Sequence, residues 1–198
     1  AVEIDRDLVA ALVHEVPASV TVMTGDVLTA DVLPVLRGLQ PQRPVDASHA
    51  GESGGKRRFR IVGNLPYNIA SPILARLIEW HLREGLFADA TLMLQKEMAD
   101  RITAAPGSKD YGVLTVLAGR HARIERLLDL PPSAFKPAPK VHSTVVRLTF
   151  GPPAVKVVDE ALLERMVKIM FAQRRKTLAN ALRAFDRTAP AVLALAGI

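Results

Sequence analysis

The sequence predicts an α/β protein: a doubly wound, parallel-type sheet carrying a helical appendage. Short apolar runs suited to strands alternate with segments whose apolar residues recur at helical spacing. The runs Ala122 to Leu128 and Val141 to Phe150 follow one another without a helix between them, which predicts an antiparallel pair at the sheet edge. At 198 residues and 49% hydrophobic, the chain is long enough for one such domain plus an appendage.

The elements follow in order. Ala1 to Ile4 is a short apolar strand, and Asp5 caps a helix carrying Leu8, Val9, Leu12 and Val13 at helical spacing. Val20 to Met23 reads as the next strand, ended by Gly25-Asp26, with a short helix around Val32 to Leu36. Gln40 to Arg58, rich in Pro, Gly, Ser and charge, reads as an exposed insertion. Phe59 to Val62 is a strand, Pro72 to Leu82 a helix, Ala90 to Leu94 a strand and Lys96 to Ala104 a helix broken by the loop 105–108. Tyr111 to Gly119 is helical. The proline-rich segment Leu130 to Lys140 separates the last two strands.

Composition narrows the function classes. The formal net charge of +6 and a sequence pI near 10.0 point to a polyanionic partner. There are no cysteines, which excludes disulfides, thiolate zinc sites and a cysteine nucleophile. The five histidines lack metal-ligand spacing, so no metal is expected. No apolar stretch is long enough for a bilayer span, so no membrane partner is expected and a cytoplasmic location is the default.

The tetrapeptide Asn64-Leu65-Pro66-Tyr67, at the end of the apolar run from Phe59, carries the most chemistry. The N6 amine of adenine is a weak nucleophile because its lone pair is delocalised into the ring. An Asn side-chain carbonyl and the next main-chain carbonyl can accept its two N–H groups and aim the lone pair at a methyl donor. Asn64 and Leu65 suit those roles; Pro66 biases the backbone before it towards extended geometry, and Tyr67 offers a face to an unstacked base. The same residues also suit a plain strand-ending turn. Glu3 and Asp26 sit at the ends of the two preceding strands. In a Rossmann-like sheet such carboxylates bind a ribose and, here, the adenine of an adenosyl cofactor; a solvated acid and a helix cap are the simpler alternatives.

Longer motifs carry a resemblance. Ala1-Val2-Glu3-Ile4-Asp5, Gly25-Asp26, GNLPYNIA from Gly63, LQKEMADRI from Leu94, PGSKDYG from Pro106, PPSAFKPAPKVHS from Pro131 and FAQRRKTL from Phe171 stand in the right order. Through them nearly the whole chain resembles the bacterial KsgA-type family of small-subunit (16S) ribosomal RNA adenine dimethyltransferases. The resemblance implies a Rossmann-like class I methyltransferase domain over 1–151 and a small helical domain over 152–198 that docks RNA and the ribosome. It also implies S-adenosylmethionine as methyl donor and dimethylation of N6 on two adjacent adenosines during small-subunit assembly; a monomer is expected. Carried over by motif, Glu3 binds the cofactor ribose and Asp26 its adenine, Asn64 and Leu65 orient the target amine, and Tyr67 stacks on the base. Phe135 matches the family's second aromatic closing over the base; a packed loop anchor is its plainer reading. His142 stands where the family commonly has Asp, and no catalytic role is assigned to it.

The family carries, upstream, a strand and a glycine-rich loop that cradles the methionine end of the cofactor. Neither has a counterpart in these residues, and Gly51-Glu52-Ser53-Gly54-Gly55 is no substitute because it lies within the polar insertion. The missing strand would lie between those at Val2 and Phe59. A polypeptide starting at Ala1 is therefore expected to bind cofactor poorly and fold badly, and the sequence is expected to be part of a longer chain.

Between Arg165 and Phe185 stand six basic residues and no acidic ones. Solvated helix faces often carry such charge, but the absence of acids favours phosphate contacts. Arg174, Arg175 and Lys176, with Lys136, Lys140 and Arg147 nearer the motif, are the candidate RNA-binding residues. Leu162, Met166, Ile169, Met170, Leu178 and Leu182 read as the core of the tail. Two other readings are carried: a related large-subunit RNA methyltransferase conferring antibiotic resistance, and a catalytically inactive assembly factor. A DNA adenine methylase is disfavoured for want of groove-reading elements.

Overall fold

A computed structural model describes residues 1–39, 58–153, 155–183 and 185–198. The insertion read over 40–58 and its glycine run fall, except for Arg58, outside the described residues. The chain forms two compact units, Ala1–Phe59 with Leu65–Phe87, and Arg60–Asn64 with Ala88–Ile198.

The first unit begins with β1 (Val2–Glu3), α1 (Arg6–Glu15), β2 (Met23–Thr24) and α2 (Leu33–Gly38). As expected, Asp5 caps α1, its carboxylate accepting the amides of Asp7 at 2.9 Å and Leu8 at 3.1 Å. β1 and β2 pair in parallel, Val2 beside Met23 and Glu3 beside Thr24. The strand expected over Val20 to Met23 is thus shorter and later. The Val20 amide turns back to the Pro17 carbonyl at 2.9 Å, so the first regular ladder residue is Met23. After a turn at Leu65–Ile69, α3 (Ala70–Glu84) buries Ile73, Leu74, Leu77 and Trp80, positions spaced to lie on one helical face. Gly85 ends α3 at φ 62°, the left-handed cap that glycine adopts without steric cost. Trp80 packs on Phe87 with ring centroids 6.4 Å apart.

The second unit is built on a four-stranded sheet in the order β3–β4–β6–β5, from β3 (Phe59–Asn64), β4 (Phe87–Gln95), β5 (Ala122–Leu130) and β6 (Ser143–Phe150). β6 runs antiparallel to both its neighbours, so the expected antiparallel pair is present, with β6 inserted between β4 and β5. One sheet was expected from the alternation of elements; among the described residues the six strands fall into two, because β1 ladders only with β2 and β3 only with β4.

α4 (Lys96–Ile102) packs against β5 and β6, and α5 (Val113–His121) against α4 and β5. Ala90, Leu92, Leu94, Ala99, Ile102, Ala118, Val146, Leu148 and Phe150 are buried there. α5 begins two residues later than expected, since Gly112 is extended at φ −162°. The tail, α6 (Glu160–Ala172), α7 (Leu178–Leu182) and α8 (Ala189–Leu195), is helical as expected, with α6 resting on α5. Val167 and Leu182 are buried in it, whereas Leu162 and Leu178 are exposed rather than core.

Candidate active site

In the first unit, the parallel pair holds two carboxylates at neighbouring strand ends. Glu3 ends β1, and its Oε1 accepts the amides of Ile4 at 2.8 Å and Asp5 at 2.9 Å. Its Oε2 makes no hydrogen bond among the described residues. The Gly25 amide donates to the Glu3 carbonyl at 2.8 Å, which brings the start of the next turn beside β1. Asp26 follows; its Oδ1 accepts the Leu28 amide at 2.9 Å, and Oδ2 is likewise unengaged. Each carboxylate is therefore fixed through one oxygen and offers the other as a pure acceptor. Those two acceptors suit ribose hydroxyls and an adenine amine.

The same unit holds Leu65, Pro66 and Tyr67. Leu65 is buried, and the Pro66 carbonyl takes the Ile69 amide at 3.1 Å in the turn before α3. No described residue donates a hydrogen bond to the Leu65 carbonyl. Tyr67 is 37% exposed, enough to leave part of its ring accessible.

In the second unit, β3 extends beyond the expected Val62 and ends on Asn64 itself, whose side chain is exposed and has no hydrogen-bond partner among the described residues. The Phe59 amide bonds the Leu86 carbonyl at 2.6 Å, and Arg60 Nε lies 3.3 Å from the Asp89 carboxylate. The starts of β3 and β4 thus lie side by side, both strands run the same way, and Asn64 and Gln95 finish at one edge. β6 starts at that edge and β5 ends there, since Ser143 pairs with both Gln95 and Leu130. The Lys96 amide bonds the His142 carbonyl at 2.9 Å. The segment 131–142 therefore leaves and returns at the edge where Asn64 stands. It carries half-buried Phe135 and exposed Lys136 and Lys140.

Arg147 lies apart from this edge, in the middle of β6 between Thr91 and Glu125. Arg174 lies beyond the end of α6, where its Nη2 donates to the carbonyls of Lys109 at 2.9 Å and Tyr111 at 3.0 Å. Arg175 and Lys176 are exposed and make no ion pair among the described residues. Beneath the edge, a charged chain joins α4 to β5 and β6. Lys96 Nζ bonds Asp100 at 2.6 Å, Arg126 bridges Asp100 and Asp129, and Thr144 Oγ1 donates to Asp129 at 2.6 Å. The Thr144 and Arg126 hydrogen bonds hold the Asp129 carboxyl below its ordinary range. Burial works against ionisation of Asp100, yet the bonds from Lys96 and Arg126 hold it low as well.

Sequence reading passes over Gln95 and this charged chain. The signal for Gln95 was available: like Asn64, it is a carboxamide closing an apolar run. The chain joins Asp100 to Arg126 across 26 positions and Asp129 to Thr144 across 15, the latter through the β5–β6 register, so no local pattern announces it. Among the described residues, no cluster of His, Cys, Asp or Glu could hold a metal ion, and no helix is long and apolar enough to cross a membrane.

Known proteins share this architecture. A dimethyladenosine transferase from Plasmodium falciparum superposes with a TM-score of 0.65 at 23% identity, covering 92% of this chain and 58% of that one. The 23S rRNA methyltransferase ErmE gives 0.63 at 25% identity, covering 91% and 64%. These likenesses establish the class I methyltransferase fold. Curated relatives are closer in sequence. The ribosomal RNA small subunit methyltransferase A of Aromatoleum aromaticum is 45% identical over 185 residues, 92% of this chain and 61% of the relative. Its namesake from Koribacter versatilis is 41% identical over 197 residues, 94% and 64% respectively. The chain thus spans somewhat less than two thirds of the length of these relatives. The family described as ribosomal RNA adenine dimethylase matches residues 1–192, and with these relatives it places the chain in that family.

Proposed function

We propose that this chain takes part in the S-adenosylmethionine-dependent dimethylation of N6 on two adjacent adenosines of small-subunit (16S) ribosomal RNA during ribosome assembly. The carrying observation is the Asn64-Leu65 pair at the end of β3, where a side-chain carbonyl and the next main-chain carbonyl are both without hydrogen-bond partners among the described residues. Two such acceptors match the two N–H groups of the target amine, and accepting both localises the nitrogen lone pair for attack.

S-adenosylmethionine supplies an electrophilic methyl group on a sulfonium. Glu3 would hold its ribose and Asp26 its adenine, each through the carboxylate oxygen that folding leaves unengaged. Tyr67 and Phe135 hold the base by stacking, and the proton that the amine loses on transfer passes to solvent without a dedicated base. Lys136, Lys140, Arg147, Arg175 and Lys176 supply phosphate contacts, with Arg174 acting at least partly through the loop it binds. Residues 1–151 form the catalytic part and 152–198 the part that docks the subunit; the protein works as a monomer in the cytoplasm. The names of the 41–45% identical relatives favour the small subunit over the large. Asn64→Ala separates the roles: methyl transfer should vanish while RNA affinity stays within about twofold, since a single lost hydrogen bond contributes little to an interface dominated by phosphates. Joint loss of both would contradict the assignment.

A further inference from the structure

Gln95 is a half-buried carboxamide that folding leaves unused. It occupies the N-cap of α4, yet its side chain makes no capping hydrogen bond and has no other partner among the described residues. Its neighbours are engaged: Lys96 with Asp100, and the Lys96 amide with His142. Strand alternation fixes where Gln95 points. Residues 60, 62 and 64 are the exposed positions of β3, and 89, 91, 93 and 95 are the half-buried positions of β4 that alternate with buried 90, 92 and 94; the Arg60–Asp89 ion pair joins these two less buried sets. Asn64 and Gln95 therefore end adjacent parallel strands on one face. Gln95 stands two or three residues beyond the β4 position level with Asn64, roughly 7–10 Å further along the sheet, a gap that one flat base can fill while touching both carboxamides.

We propose that Gln95 is a specificity-determining residue of the base site, its NH2 group donating to N1 of the adenine whose N6 amine Asn64 accepts. The inference rests on the adenosine-methyltransferase reading of that site. Adenine out of its stack presents a donor, the N6 amine, directly beside an acceptor, N1, on its Watson–Crick edge. Asn64 supplies an acceptor and Gln95 can supply the missing donor, a pairing that two neighbouring carboxamides satisfy without any charged group.

The test compares methyl transfer to RNA carrying adenosine, 1-deazaadenosine or 7-deazaadenosine at the target position, for the unsubstituted protein, Gln95→Ala and Gln95→Glu. On adenosine both variants should lose about tenfold in kcat/KM, because Ala has no side-chain donor and an ionised Glu carboxylate only accepts. The preference for adenosine over 1-deazaadenosine should be about tenfold greater in the unsubstituted protein than in Gln95→Ala, whereas the response to 7-deazaadenosine should be the same in both. An equal 1-deaza preference in both proteins would overturn the role of Gln95 while leaving the reaction standing. Absence of transfer by the unsubstituted protein would overturn the reaction and this role with it. Matching thermal unfolding of Gln95→Ala and the unsubstituted protein is expected; a loss confined to stability, with unchanged transfer per folded molecule, would also contradict the proposal.

Discussion

The guanidinium of Arg174 donates to the main-chain carbonyl of Tyr111 at 3.0 Å, 63 residues earlier in the chain, and to that of Lys109 at 2.9 Å. The rings of Tyr111 and Phe171 pack beside it with centroids 5.8 Å apart. The FAQRRKTL and PGSKDYG motifs therefore meet, and the first residue of the basic triplet fastens a loop. Arg174→Ala should cost about 1 kcal/mol of stability, the net contribution typical of such hydrogen bonds, seen as a lowered Tm. Arg174→Lys, which keeps the charge but not the forked donor, should recover less than half of it. An unchanged Tm in both would show that the clamp does not hold the loop.

Arg175 and Lys176 behave differently, being exposed and unpaired among the described residues. Replacing both with Ala should leave Tm within about 0.5 kcal/mol equivalents and reduce the salt slope of RNA binding by about 2. A slope equal to that of the unsubstituted protein would place the phosphates elsewhere.

Arg126 links Asp100 on α4 to Asp129 on β5, and buried Thr144 on β6 completes the chain. Both carboxyls are held below the ordinary aspartate pKa of about 3.8. Groups depressed in this way stabilise the fold fully above their unfolded pKa, and that contribution disappears as pH falls from about 3.8 through the folded values. Arg126→Met should thus destabilise the protein at neutral pH, by about 1 kcal/mol given its partial exposure. The gap to the unsubstituted protein should narrow as pH drops below 3.8. Urea titrations at pH 7 and pH 3 measure it; a gap that stays constant would mean that the aspartates are not coupled to Arg126.

Much of this fold is legible in the sequence because its signals are local. Asp5 ahead of an apolar helical stripe marks a cap, and the runs ending at Leu94 and Phe150 mark buried strands. The sequence ends β3 at Val62 because Gly63 and Asn64 have low strand propensity, and only pairing with β4 carries the strand through them. Val20 to Met23 shows the opposite failure: β-branched residues read as a strand where a turn at Pro17 claims the first amide. In the candidate site, Asn64 stands out through its motif. Gln95 is masked by Lys96 and Glu97, which read as the start of a helix. The work of Arg174 depends on a contact across 63 residues that composition cannot reveal.

Methyl transfer to adenosine in small-subunit RNA can be measured directly. Labelled S-adenosylmethionine, the protein and small ribosomal subunits lacking the modification should yield N6,N6-dimethyladenosine at two neighbouring positions, read by mass spectrometry of the digested RNA. Label on large-subunit RNA alone, or subunit binding with no label transferred, would contradict the account.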